Sequence, residues 1–137
     1  MHDDAHSLAR AVARLNRRLR QERRSALTPT QLSVLGTVAR CAPATPGVIA
    51  AEEGVKPPSV TRILNQLADL GYISRLSHPQ DGRQVLVQVS EEGRGRLDEE
   101  NRRRNAWLQE QLEELNESDR ELLRSASAVL SRLAESR

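Results

Sequence analysis

The segment Lys56–Gly93 constrains the fold more than any other part of the chain, because a helical pattern is followed at once by a hairpin pattern. Apolar residues recur at the helical interval and form one stripe, which comprises Val60, Ile63, Leu64, Leu67 and Leu70. Pro57 and Pro58 stand in the first turn, where their missing N–H groups would have no partner in any helix. Gly71 suits the position after a helix. The segment therefore predicts a helix that ends just before Gly71.

The outward face of this helix is polar. Its members at helical spacing are Pro58, Thr61, Arg62, Asn65 and Asp69. Hydroxyl, guanidinium and carboxamide groups bond base edges and phosphates in a major groove, and they occupy the N-terminal half of the face. Asp69 would repel phosphate, but it lies at the far end. Taken alone, an ordinary solvated surface explains the face equally well.

Two short β-prone runs follow this helix, at Tyr72–Leu76 and Gln84–Val89. In the second run valine stands at every other position, as expected of a strand with one buried face. Residues 77–83 between the runs have the composition of a loop. The pattern predicts an antiparallel hairpin with a polar tip.

The hairpin tip carries an acid and a base on either side of Gly82. Asp81 and Arg83 are close enough in sequence to pair, so we expect the carboxylate to orient the guanidinium. An arginine held in this way suits a narrow, strongly negative minor groove.

Two further helices are indicated upstream by their caps. Thr28–Gln31 reads as a capping box with proline at the first helical position, and it opens a helix to about Arg40. Thr45 with Pro46 repeats the device and opens a short helix that Gly54 closes. Helix, tight turn, helix and hairpin in this order are the signature of a winged helix-turn-helix. The predicted fold is therefore mostly α with a small β-hairpin wing.

The two ends of the chain are predicted to be helices with apolar stripes that neither can bury alone. The N-terminal stripe is Leu8, Val12, Leu15 and Leu19, and the C-terminal stripe is Leu122, Leu123, Ala126, Val129, Leu130 and Leu133. A capping box at Ser118–Glu121 is expected to introduce the last helix. Between the stripes, Ser90 as N-cap opens a helix over 91–115, which would be about 37 Å long.

Charge is distributed unevenly along the chain, although the formal net charge is only +2. Residues 1–24 carry seven arginines against three acids, residues 56–96 carry six basic against four acidic groups, and residues 97–137 sum to −3. Positive charge in the hairpin segment suits a nucleic-acid partner. The arginine-rich N-terminal helix is explained equally by a solvated face. With no Phe, one Trp and one Tyr, the chain lacks the aromatic platforms of single-strand binders.

These residues resemble the MarR family of bacterial transcriptional regulators. The motifs that carry the resemblance lie between Thr45 and Gly93, and they are Pro58–Arg62, Leu67–Gly71, Arg75, Pro79–Arg83 and Ser90–Gly93. Ser90 stands where threonine is commoner, and Gly82 occupies the middle of the tip pair. The resemblance implies a homodimer with two winged helices on a pseudo-palindromic operator. It also implies, in many members, a small aromatic or oxidative signal that releases the DNA.

The sequence therefore predicts a single domain over 1–137, with a winged lobe at about 28–90. A terminal dimerisation lobe is expected from about 4–24 and 105–137, joined to it by the helix over about 91–115. The residues expected to contact double-stranded DNA are Thr45, Lys56, Pro57, Pro58, Ser59, Thr61, Arg62, Asn65, Arg75, His78, Asp81, Arg83 and Gln84. Those expected at a dimer interface are Leu8, Val12, Leu15, Leu19, Leu122, Leu123, Val129, Leu130 and Leu133. A monomer whose terminal helices pack on its own winged lobe is the alternative.

A ligand site is expected in the crevice between the long helix and the winged lobe. Leu15, Leu19, Trp107 and Leu108 are its candidate lining, although a helical tryptophan is more often core or interface. Cys41 stands alone, excluding an intrachain disulfide, and is interpreted as a small core residue rather than a redox sensor.

Enzymatic and metal-binding functions find no support in the sequence. Phosphate-binding glycine loops, zinc-protease and nucleophile-elbow motifs are missing, so we expect no enzyme, cofactor or metal. His2 and His6 with the neighbouring aspartates are explained by a frayed end. Without a signal peptide or a long apolar run, the chain is expected in the cytoplasm and away from membranes.

Two functions from different classes fit these observations. The first is an operator-specific regulator, expected to be a repressor that a small ligand releases. The alternative is a constitutive or architectural duplex-binding protein of the same fold with no ligand. A repressor should prefer its site over random DNA by about 10³ or more at physiological salt. A third hypothesis is a protein-interaction module that uses the winged helix without DNA. Arg62 and Arg83 are evidence against it.

Overall fold

A computed structural model of the chain describes residues 2–136 as six helices and one two-stranded antiparallel sheet. The elements in chain order are α1 (His2–Arg23), α2 (Pro29–Cys41), α3 (Pro46–Glu53), α4 (Pro57–Asp69), β1 (Ile73–Ser77), β2 (Val85–Val89), α5 (Glu91–Glu114) and α6 (Glu117–Glu135). This order confirms the predicted fold class of a mostly helical winged helix-turn-helix.

The predicted caps set the starts of α2 and α3. Thr28 Oγ1 accepts the N–H of Gln31 at 3.1 Å, and the Gln31 side chain accepts the N–H of Thr28 at 3.0 Å, which completes the capping box. Thr45 Oγ1 accepts the N–H of Val48 at 3.3 Å. Gly54 closes α3 with a φ of 68°, a left-handed conformation that costs glycine little.

The helix α4 begins and ends as its prolines and glycine predict. Lys56 is the N-cap and makes no side-chain cap, while Gly71 follows the helix with a φ of 82°. The stripe members Val60, Ile63, Leu64 and Leu67 are buried, but Leu70 is 47% exposed. Leu70 belongs to the stripe in sequence but is the C-cap residue, where the helix ends and the stripe is no longer covered.

Both strands of the predicted hairpin form, but their bounds differ slightly from the predicted ones. Ile73 pairs with Val89 and Ser77 with Val85, so Tyr72 and Gln84 lie outside the strands. Val87 is 1% exposed and also bridges Ala44, whereas Val85 is 40% exposed. The alternation of valines therefore predicts burial near the helices. It does not predict burial toward the tip, because there the hairpin extends beyond the core.

The hydrophobic core lies entirely within the winged lobe and the start of α5, between Leu32 and Leu97. Its apolar side chains with no exposed surface are Val34, Leu35, Val38, Ile49, Val60 and Leu67. They come from α2, α3 and α4, so the three helices bury their faces on one another under the hairpin.

The start of α5 is fastened to the end of α4. The Ser90 hydroxyl accepts the N–H of Gly93 at 3.0 Å and lies 2.6 Å from the Gly71 carbonyl oxygen, to which it donates. Gly93 is buried against Tyr72 so closely that a Cβ at Gly93 would overlap the Tyr72 carbonyl group. Only glycine therefore fits at this position without a steric clash.

The C-terminal end of α1 is attached to the middle of α5. Arg103 donates from Nε at 2.8 Å and from Nη2 at 2.6 Å to the carbonyl oxygen of Arg23. A cation at a helix C-terminus is favourable, because the free carbonyls there carry negative partial charge. Nearby, Glu100 of α5 is fully buried, and neither carboxylate oxygen has a hydrogen-bond partner among residues 2–136.

The last helix starts two residues earlier than predicted. Asn116, and not Ser118, is the N-cap of α6, and its side chain accepts the N–H of Asp119 at 2.8 Å. The expectation of a Ser118 cap was wrong because both residues offer a capping oxygen and the chain is already extended at Asn116. No residue of α6 or of α1 is buried.

Two glycines of α5 provide a matched stability test. Gly93→Ala should lower the free energy of unfolding by about 1–3 kcal/mol, because overpacking against Tyr72 outweighs the gain in helix propensity. Gly95 has nothing within 4 Å of a Cβ, so Gly95→Ala should raise it by about 0.5–1 kcal/mol. Urea unfolding monitored by circular dichroism measures both. Equal effects of the two variants would contradict the close approach at Gly93.

Candidate nucleic-acid interface

The polar face of α4 is exposed as predicted. Pro57, Pro58, Ser59, Thr61, Arg62 and Asn65 are all exposed. The Thr61 hydroxyl donates to the Pro57 carbonyl oxygen at 3.0 Å and still has lone pairs to accept with. The Arg62 side chain has no hydrogen bond or ion pair within residues 2–136, so all its donors are available to a partner.

The helix-turn-helix has two helix N-termini with positive partial charge, at Thr45 and Lys56. Thr45 caps α3 and is half-buried, with its hydroxyl oxygen already accepting a backbone N–H. Lys56 is exposed at the start of α4. Free N–H groups at a helix start favour anions, and a lysine beside them strengthens that preference.

The hairpin tip is ordered by side chains that bond to backbone. His78 Nδ1 lies 3.1 Å from the N–H nitrogen of Gln80 and 3.2 Å from that of Asp81, and accepts from both. Asp81 Oδ1 accepts the N–H of Arg83 at 3.0 Å, and Gln84 donates its N–H to the Asp81 carbonyl oxygen at 3.0 Å. The tip is therefore a compact turn held by the side chains of His78 and Asp81.

The expected pairing of Asp81 with the Arg83 guanidinium is not formed. The carboxylate binds the backbone of Arg83 instead, because a two-residue separation in a turn places the N–H nearer than the long side chain. Arg83 is exposed, and its guanidinium makes no ion pair within the described part of the chain. Asp81 thus shapes the turn from which Arg83 projects.

A long-range hydrogen bond joins the hairpin to α4. The Nη2 group of Arg75 in β1 donates to Oδ1 of Asn65. Both residues were predicted to contact DNA separately, and the structure brings them together.

The crevice between α5 and the winged lobe exists, but its lining differs from the prediction. It encloses about 600 Å³ between α1, α2 and α5. Its charged residues are Arg20, Arg23, Arg40, Arg94, Arg104 and Asp98. None of Leu15, Leu19, Trp107 and Leu108 lines it. Leu15 lies on the exposed stripe of α1, away from this crevice, so a ligand site at these four residues stays a prediction.

Burial and neighbouring charge act on one of these arginines. Burial lowers the pKa of Arg23, the charge of Arg104 lowers it further, and the charge of Glu100 opposes both. The Nε of Arg23 is buried and has no hydrogen-bond partner among residues 2–136. The wall of the basic crevice therefore contains a buried donor that has no compensating hydrogen bond within the described residues.

Trp107 has a structural role in the seam between α1 and α5. The Arg18 guanidinium lies 4.8 Å from the centroid of its ring. Such a cation–π contact adds to the Arg103 bond in holding the helices together. Cys41 is half-buried and packs against the core, as the simple interpretation predicted.

A repeating pattern of polar residues in the sequence indicates the basic crevice. Asn16, Arg20 and Arg23 recur at helical spacing on α1, and Arg94 and Arg104 share a face of α5. Polar stripes that face each other across two helices indicate a wet crevice. The Arg75–Asn65 bond has no such signal, because only tertiary packing brings the residues together.

No helix among residues 2–136 is long and apolar enough to cross a membrane. In the same range, no three His, Cys, Asp or Glu side chains are grouped as metal ligands would be.

The model of the MarR family matches residues 27–85 of the chain. An HTH-type transcriptional regulator of Mycobacterium bovis is 46% identical over 132 residues, which are 96% of this chain and 92% of that protein. A Mycobacterium leprae regulator is 43% identical over the same shares of each chain. These relatives carry the names of transcriptional regulators and not of enzymes.

Solved structures extend the likeness to three dimensions. A putative transcriptional regulator of Pseudomonas aeruginosa shares 34% identity and a TM-score of 0.86, over 98% of this chain and 96% of that one. Streptococcus pneumoniae FabT, solved in complex with DNA, is 19% identical with a TM-score of 0.79 over 98% of both chains. At that identity the likeness to FabT shows the fold alone.

Proposed function

Because the chain belongs to the MarR family of transcriptional regulators, we propose that it binds a pseudo-palindromic operator in double-stranded DNA as a homodimer and represses transcription there. The carrying observation is that α4 exposes Arg62 without a partner among residues 2–136, while an ordered hairpin turn exposes Arg83. A protein that binds chromosomal operators would act in the cytoplasm.

Each part of the interface has a groove that suits it. The exposed N-terminal half of α4, with Ser59, Thr61 and Arg62, enters the major groove, where hydroxyl and guanidinium groups read base edges. Arg83 at the hairpin tip reaches the adjacent minor groove, which is narrow and strongly negative in A·T-rich DNA. Thr45 and Lys56 lie at helix starts that favour phosphate. The complex of FabT with DNA supports the assignment, since FabT has the same fold.

The terminal helices support a dimer. Leu122 is 67% and Leu133 is 55% exposed, and α6 packs extensively against no other element of the chain. An isolated amphipathic helix is marginal in water, so α6 needs a partner. The α1 stripe is exposed as well, with Leu8 and Val12 each at 46%. These observations favour a second copy over packing on the chain's own winged lobe. In this division, residues 28–90 read DNA and the terminal helices dimerise, with α5 between them.

The proposed effector is a small anion, and small aromatic acids are the first candidates. The crevice of about 600 Å³ is of ordinary size for a small-molecule site. Its five arginines against one aspartate make it attractive to a carboxylate. Occupancy would act on α5, whose first turn is bonded to α4 through Ser90.

Duplex binding is tested with arginine variants. On the duplex that the wild-type chain selects from a randomised pool, Arg62→Ala should cost about 1–3 kcal/mol and relax preference at one base position. Arg83→Ala should weaken binding mainly at A·T-rich flanks. Fluorescence anisotropy at physiological salt measures both. Arg124→Ala, on the exposed face of α6 opposite its stripe, is the matched control and should bind normally. Wild-type affinity in both Arg62→Ala and Arg83→Ala would refute the interface.

Dimerisation is tested by charging the α6 stripe. Leu133→Glu should convert the protein to a monomer at micromolar concentration, because a carboxylate would be buried in the apolar contact. Arg124→Glu changes charge on the opposite face and should remain a dimer. Analytical ultracentrifugation distinguishes the two species. A wild-type monomer that binds the selected duplex would overturn the dimer.

Ligand release is tested with benzoate as the probe and methyl benzoate as its uncharged control. Millimolar benzoate should weaken duplex binding by the wild type, and the ester should not, because only the carboxylate pairs with the crevice arginines. Arg20→Gln should blunt the response while duplex affinity without benzoate stays the same. If no small carboxylate alters binding, the constitutive or architectural function is favoured instead.

A further inference from the structure

Arg75 lies on the face of the hairpin that packs against the helices. Its cross-strand partner Val87 is 1% exposed, and Ile73, two residues earlier in β1, is 5% exposed. Paired residues, and residues two apart in one strand, point to the same side of a sheet. The stem of Arg75 therefore starts at the rim of the core, and its head extends toward α4.

The head of Arg75 determines how the Asn65 carboxamide is turned. A guanidinium has five N–H donors and no acceptor, so it can meet only the oxygen of an amide. Its Nη2 donates to Asn65 Oδ1, which leaves the Nδ2 group directed away from the hairpin. Asn65 is exposed and makes no other side-chain hydrogen bond within residues 2–136.

We propose that Arg75 is a positioning residue for DNA reading, which holds Asn65 so that its amide nitrogen, and not its oxygen, meets the base edge. The proposal rests on the proposed function, in which α4 enters the major groove. Asparagine reads adenine by accepting from N6 and donating to N7 at once. Because Arg75 turns Oδ1 toward the hairpin, the Nδ2 donors of Asn65 face the groove and the paired donor–acceptor contact to adenine is not made. Asn65 therefore favours guanine over adenine, since O6 and N7 of guanine are both acceptors in the major groove.

The competing role for Arg75 is a direct contact with a phosphate. The two roles differ in their dependence on Asn65 and on salt. A positioning residue has no effect once Asn65 is removed, whereas a phosphate contact acts independently. Affinity falls as salt rises, and loss of one phosphate contact makes the plot of log affinity against log salt concentration shallower by about 0.9. Loss of positioning leaves the steepness of that plot unchanged.

The test is a double-mutant cycle with Arg75→Ala, Asn65→Ala and both together. Binding is measured on the duplex that the wild type selects from a randomised pool of about 30 base pairs, which spans two half-sites one turn apart. Arg75→Ala should reduce preference for guanine at one position of each half-site by roughly tenfold and shift it toward adenine. The double variant should bind no more weakly than Asn65→Ala. Arg62 is expected to read another base position, so the fold losses of affinity from Arg62→Ala and Arg75→Ala should multiply in the double variant.

Independent losses from Arg75→Ala and Asn65→Ala, together with a lower salt slope in Arg75→Ala, would overturn the proposal. If Arg75→Ala fails to fold, Arg75→Met keeps the aliphatic stem over the strand and removes only the guanidinium. Failure of the wild type to select any duplex would refute the proposed function and the base-reading role together. The positioning itself is then read separately in the free protein, where Arg75→Met should shift the Asn65 side-chain amide resonances. Unchanged resonances would refute it.

Discussion

The hydroxyl of Ser90 bonds to both sides of the junction on which the geometry of the DNA-facing surface depends. It accepts from Gly93 at the start of α5 and donates to the Gly71 carbonyl at the end of α4. The hairpin leaves and returns between these two points, so one side chain sets the base of the wing relative to α4. Gly93 makes the arrangement possible, because any Cβ there would meet the Tyr72 backbone. The orientation of Arg83 relative to Arg62 follows from this junction.

The long helix α5 connects the parts that the proposed function requires to communicate. Its first turn is bonded to the winged lobe, one face lines the arginine-rich crevice, and Arg103 holds the end of α1. The buried carboxylate of Glu100 lies in the same seam and opposes the lowering of the Arg23 pKa. In the proposed function, an anion that binds the crevice arginines competes with that interaction and so acts on the packing of α1 against α5.

Local signals predicted the helices and failed where two neighbours compete. Thr28, Thr45 and Ser90 were recognised as caps because a cap acts through backbone within three residues. Ser118 was expected to cap α6, but Asn116 two residues earlier also supplies a suitable oxygen and is the cap. Asp81 was expected to bind the Arg83 guanidinium, but the carboxylate accepts the nearer backbone N–H of Arg83. In both errors the partner depended on a distance that spacing in the sequence does not give.

The amino-acid sequence by itself determined the order of helices, the hairpin, the exposed polar face of α4 and the family. These follow from periodicity, caps and turn residues, which act over a few positions of the chain. Only the tertiary structure decided that Arg75 bonds Asn65, that Arg103 bonds the end of α1, and that arginines rather than leucines line the crevice. Long side chains reach partners on other elements, so how the helices pack decides which atoms they contact.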